Sequence, residues 1–138
     1  MDAATAQIGI DEAIHQGVLL SVVAELASNY FEIRGLQRQL AMTKQDVKLL
    51  KSVEDIAAAQ AESVINTHLN LARAKGQRET FQAKIPNLKA EITTRIYRIS
   101  VLTGQTPETH LQLFTTYQAQ TMPSDRVPVG LRSDILKR

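Results

Sequence analysis

The stretch VLLSVVAELASNYFEIRGLQRQLAMTKQDVKLL (18–50) decides the fold. Within it Leu19, Val22, Val23, Leu26, Tyr30, Ile33, Leu36, Leu40, Val47 and Leu50 recur at steps of three, four or seven, and Ala57 continues the series. That spacing is an apolar stripe of the coiled-coil type on one long helix. No proline occurs in the first 85 residues, and Gly35 inside the stripe costs only about 1 kcal/mol relative to alanine. A helix over about 12–61 is predicted, ~75 Å long at a rise of ~1.5 Å per residue. Upstream, AATAQIGIDEAIH (3–15) is Ala-rich and helix-prone, with Gly9 its weak point. Downstream, AAAQAES (57–63) is small and polar, and the stripe thins.

A second stripe follows in Phe81, Ile85, Leu88, Ile92, Ile96, Ile99 and Leu102, which predicts an ascending helix over 71–103. Pro86 interrupts its hydrogen bonding but not its phase, so a bend is expected there rather than an end. Glu91 stands four residues before Arg95, the favourable order for a helical ion pair. Gly104 and Pro107 stop the helix, a glycine just past the end with proline beyond it. Residues 108–115 have room for one or two further turns. Residues 116–133, with Pro123, Pro128 and Gly130, read as extended and irregular.

Between the stripes lies SVINTHLN (63–70), which contains neither Gly nor Pro. Asn66 and Thr67 are able to cap a helix, but no Glu or Gln sits three residues later to complete a capping box. One continuous helix to residue 103 competes with a hairpin whose tip is 62–70. Read this way each helix has a single apolar face, and folding back is the economical way to bury both. The fold class is therefore all-α: a hairpin domain over 1–104 and a linker segment over 105–138.

Composition narrows the function. The 138 residues suffice for about one domain. Aromatics make up 4% and tryptophan is absent, which argues against a compact aromatic core. The net charge of +2 is too small to imply a nucleic-acid partner. Charge is nonetheless uneven: Asp2, Asp11, Glu12, Glu25 and Glu32 precede all 16 basic residues, which begin at Arg34. A solvated acidic end is the plain reading. Cysteine is absent, which excludes disulfides, thiolate catalysis and cysteine metal sites. No basic segment precedes an apolar run at the N-terminus, so no secretory signal is expected. No apolar run approaches the ~20 residues of a membrane helix, so the chain taken alone is expected to be soluble.

The polar residues carry little chemistry. His15, His68 and His110 are scattered, with no two at i, i+4 on one helix, which argues against metal ligation. Asp11–Glu12 and Glu54–Asp55 are adjacent, so their carboxylates diverge by about 100° on a helix and do not converge on a substrate. Phosphate-binding loops, dinucleotide fingerprints and nucleophile elbows are missing. The same-face pairs Arg34/Arg38 and Lys44/Lys48 read as solvated helix surface. No enzyme and no cofactor are expected.

Three stretches together resemble the outer-membrane efflux protein family, the TolC-like outer-membrane factors, and above all their NodT-type branch. LLSVVAELASNYFEIRGLQRQLAMT (19–43) is similar to the family's helix after its first membrane hairpin. AKIPNLKAEITTRIYRISVLTGQTPE (83–108) resembles its Ile-Pro-x-Leu run leading to a Leu-x-Gly-x-x-Pro end. VPVGLRSDILKR (127–138) is similar to its Val-Pro-x-Gly-Leu-Pro-Ser-Asp-Leu-Leu-Arg-Arg segment, with Arg132 in the place of a proline. At the tip, Leu69-Asn70 takes the place of the family's Leu-Asp, and Ser63 or Val64 that of its glycine.

The resemblance implies a homotrimeric channel whose β-barrel crosses the outer membrane and whose α-helical barrel crosses the periplasm. Its partners would be a periplasmic adaptor protein, met at the hairpin tips, and an inner-membrane pump that supplies the energy. This chain would be the second half of the first repeat, without the barrel strands, as an excised domain or a truncated gene product. Its tip residues Ser63, Asn66, Thr67, His68 and Asn70 would then contact the adaptor. The alternative is a free-standing coiled-coil scaffold or a truncated product without function. Under either reading a lone hairpin leaves apolar surface uncovered, so the chain by itself is expected to form a dimer or higher oligomer, most simply an antiparallel four-helix bundle.

Overall fold

The computed structural model describes residues 2–63 and 68–115. Helix α1 spans Asp2–Ser63, α2 spans His68–Leu102 and the short α3 spans Leu111–Thr115. There are no strands among the described residues. Helix α1 starts earlier than the stripe requires, because its Ala-rich opening has helix propensity that needs no burial. Helix α2 passes through Pro86 unbroken.

The two long helices are antiparallel neighbours. As the chain climbs α1, its partners descend α2: Glu25 meets Arg98, Glu32 meets Arg95, and Glu54 meets Arg78. This is the expected hairpin. Its seam is narrow near the tip, where the buried side chains are Ala57 and Ala74. Further down it widens into a core of Ile33, Ile92, Ile96, Ile99 and Phe114, with Tyr30, Leu36, Leu40 and Leu111 packed against it. Ile33 is fully buried, and the isoleucines on α2 follow the stripe read from the sequence.

Gly104 terminates α2 with φ +69°. The Gln105 N–H donates to the Ser100 carbonyl at 2.9 Å, and the Gly104 N–H to the Val101 carbonyl at 3.0 Å. These are the two bonds of a Schellman cap, which satisfies carbonyls that the helix end would leave open. The chain then turns through Thr106–Thr109, and α3 folds back so that Phe114 enters the core.

Two features depart from the sequence reading. Every described side chain from Gly9 to Ser21 is exposed, because α2 ends before reaching them; Leu19 of the expected stripe is therefore solvent-facing, as is Val23 just beyond. About 28 Å of α1 projects past its partner. Second, α1 does not have a single apolar face. Met42, Leu49, Val53 and Ile56 are all more than half exposed. Met42 lies nine residues from Ile33, about half a turn around the helix at ~100° per residue. They belong to a second stripe on the back of α1.

Candidate functional site: the hairpin tip and its charged seams

The tip follows from the hairpin. Ser63 is the last residue of α1, and His68 opens α2. Asn66 and Thr67 lie outside the described residues. His68 and Asn70 are both exposed in the first turn of α2, with the exposed Leu69 between them. Two residues apart on a helix, His68 and Asn70 point about 200° away from one another. They crown the helix end and do not form a shared pocket.

Below the tip a charged cluster ties the helices together. The Glu54 carboxylate accepts from Arg78 Nε, and both side chains are largely buried, 14% and 20% exposed. The other side of that guanidinium donates to Gln82 Oε1 at 2.7 Å. Lys51 approaches Glu54 at 3.7 Å and Asp55 at 2.8 Å. Its hydrogen bond to Asp55 raises the Lys51 pKa above the ordinary lysine value. Towards the other end, Arg95 reaches Glu32 at 2.9 Å and Asn29 Oδ1 at 3.4 Å. Arg98 pairs with Glu25. Glu25 and Glu32, read from the sequence as solvated acids, are thus bridged to α2. Arg95, expected to pair within its helix with Glu91, turns across the seam.

The sequence reading missed a buried polar knot where α3 docks. Arg34, taken as solvated surface, is 4% exposed. Its guanidinium lies over the Tyr30 ring at 5.1 Å and the Phe114 ring at 5.4 Å, and it donates to Gln37 Oε1 at 3.0 Å. Gln37 Nε2 in turn donates to the Phe114 carbonyl. A cation over aromatic faces retains attraction while it is removed from water. The fully buried Ser100 donates to the Ile96 carbonyl at 3.2 Å and lies 3.0 Å from Nδ1 of His110. A local signal existed, since Tyr30 and Arg34 share a face at i, i+4, but the covering residue Phe114 is 80 positions away. The knot fixes α3 to the hairpin. Beside it Gln37 and Phe114 line an open groove with Leu40, Ile92, Ile96 and Leu111.

Other surfaces offer little for small-molecule chemistry. An open groove runs between the helices past Glu32, Gly35, Gln39, Ala90, Thr94 and Arg95. No cluster of three metal-ligating side chains occurs among the described residues. No described helix is long and apolar enough to cross a membrane. Among the described residues the chain presents two long antiparallel helices tied by charged seams, with Met42, Leu49, Val53 and Ile56 exposed on the back of α1.

The family model described as outer membrane efflux protein matches residues 1–105. Nodulation protein T of Rhizobium leguminosarum bv. trifolii is 23% identical over 118 residues, which cover 86% of this chain and 25% of that protein. Nodulation protein T of Rhizobium leguminosarum bv. viciae is 19% identical over 136 residues, 99% of this chain and 28% of that protein. The chain therefore spans about a quarter of the length of these curated relatives. No solved structure matches it. The matched region takes in both long helices and the Gly104 cap, and the chain belongs to the outer membrane efflux protein family.

Proposed function

We propose that this chain forms part of the periplasmic helical wall of an outer-membrane efflux channel in a tripartite export system. The observation that carries the reading is the shape inside the family match. Two long antiparallel helices, locked by ion pairs and lacking an enclosed pocket among the described residues, suit a wall and not a site of chemistry. The complete protein would be a homotrimer spanning outer membrane and periplasm, with an inner-membrane pump as the energy source. The hairpin tip would meet the periplasmic adaptor through Ser63, Asn66, Thr67, His68 and Asn70. Short polar side chains there suit a reversible, wet contact.

The test replaces Asn66 and Asn70 together with tryptophan in the complete channel protein. Adaptor binding is expected to weaken, while far-UV circular dichroism and outer-membrane recovery stay as they were. Unchanged adaptor affinity refutes the tip assignment. Absence of the complete protein from the outer-membrane fraction refutes the channel reading.

A further inference from the structure

The polar ties between α1 and α2 observed among the described residues fall into two groups. Near the base, Glu25 and Glu32 pair with Arg98 and Arg95, and Asn29 accepts from Arg95. Near the tip, Glu54 accepts from Arg78. Along α1, Thr43 stands eleven residues from Glu32 and eleven from Glu54. Along α2, Pro86 stands nine residues from Arg95 and eight from Arg78. The midpoint of one helix therefore lies level with the midpoint of the other, and each midpoint carries a residue that weakens a helix. Proline has no N–H, so the Gln82 carbonyl, four residues back, loses its helical partner and is crowded by the ring. Gln82 and Pro86 are both exposed, so this gap opens on the solvent side. Thr43 is buried, yet its hydroxyl donates to the Gln39 carbonyl of its own helix at 2.9 Å and makes no tie across the seam. Such a back-bond shares a carbonyl of the helical ladder and favours bending.

From this coincidence we infer that the hairpin has a hinge at the level of Thr43 and Pro86. The tip half, with Glu54 and Arg78, swings against the base half, with the isoleucine core, while both helices stay continuous. Matched levels are what a hinge in a pair of helices requires. A bend in one helix alone would drag it along its neighbour and break the ion pairs at one end. Two soft points side by side confine the strain to one level, at the kind of residue where helices kink. Each half keeps its own ties: the Arg95 and Arg98 pairs move with Ile33 and Ile96, and the Arg78 pair moves with Ala57 and Ala74. The hinge lies within a single hairpin, so the inference goes beyond the channel reading and does not depend on it.

Amide hydrogen exchange of the full 138-residue chain, read on overlapping peptides by mass spectrometry, tests the hinge. The reporting amides are those of 40–47 on α1 and 83–90 on α2. Pro86→Ala restores the missing donor and is expected to slow exchange in both stretches about tenfold. Slowing on α1, whose own bonds the substitution does not touch, is the mark of one shared opening. Thr43→Val removes the back-bond and is expected to slow the α2 stretch in return. Gly76→Ala stiffens α2 nearer the tip and is expected to leave both stretches at their original rates. Slowing confined to the helix that carries the substitution overturns the proposal, because each weak point would then be local. So does an equal slowing by Gly76→Ala, or one by Pro86→Ala that extends in full to the amides of Ile33 and Ile96, since exchange would then follow opening of the whole hairpin.

Discussion

Replacing Ile33 by alanine tests the hairpin core at its centre. Ile33 has no exposed surface and packs in one cluster with Ile92, Ile96, Ile99 and Phe114. The change deletes three carbons. At about 0.8 kcal/mol per buried carbon the transfer loss is ~2.4 kcal/mol. The cavity adds to this, because α1, α2 and α3 all converge on the site and cannot collapse together, and the expected loss is about 3 kcal/mol, within the usual range for such truncations. Ile33→Val removes one carbon and should lose about 1 kcal/mol. Val101→Ala is the control: Val101 is 55% exposed, so its truncation should change stability by less than about 0.5 kcal/mol. Urea unfolding followed by far-UV circular dichroism, at one fixed chain concentration, gives all three values. A loss below ~1 kcal/mol for Ile33→Ala, or no separation from Val101→Ala, would refute the placement of the core.

The glycines make a paired test. Gly104 sits at φ +69° in open space, so Gly104→Ala strains the backbone alone and should cost about 1 kcal/mol, whereas Gly76→Ala, equally open but inside α2, should stabilise by up to about 1 kcal/mol. Shifts of the same sign in thermal melts would contradict the cap. The ion pairs should differ by burial: Glu54→Gln strands the largely buried Arg78 and should cost about 1–2 kcal/mol, and Glu25→Gln, from a pair that is 41% and 53% exposed, less than about 0.5. Equal losses in denaturant titration would count against the difference in burial.

Much of this fold is written in local spacing. The isoleucines of α2 fall every three or four residues, and Leu88, Ile92, Ile96 and Ile99 are all buried. Gly104 followed by Pro107 marked the helix end, where the Schellman bonds now stand. Other features depend on which distant residue arrives, and spacing is silent there. Arg34 looked like a solvated cation because Phe114, which covers it, comes from a helix of five residues with little pattern of its own. Leu19 continues the stripe in phase, yet only the end of α2 decides how far the stripe is covered. The tip was the least legible part. Asn66 and Thr67 offer caps without a glycine or proline to fix the turn, and His68 is where α2 begins.

The inequality of the two helices has a physical consequence. Helix α2 buries Leu88, Ile92, Ile96 and Ile99 in the seam, and of its large apolar residues only Leu69, Tyr97 and Val101 stand exposed, spread along its length. Most of its apolar surface is covered once α1 lies against it. Helix α1 carries apolar residues on two opposite faces, and one partner covers only one of them. A helix with one apolar face ends a sheet of packed helices, and a helix with two continues it. In the proposed channel wall, the exposed stripe of α1 would be the side through which this hairpin joins further helices. The separation is measurable. Polar substitution at Leu49 and Val53, both away from α2, should abolish association and leave the unfolding free energy of the separated hairpin nearly unchanged. Substitution at Ile92, inside the seam, should lower that free energy even in the dilute monomer.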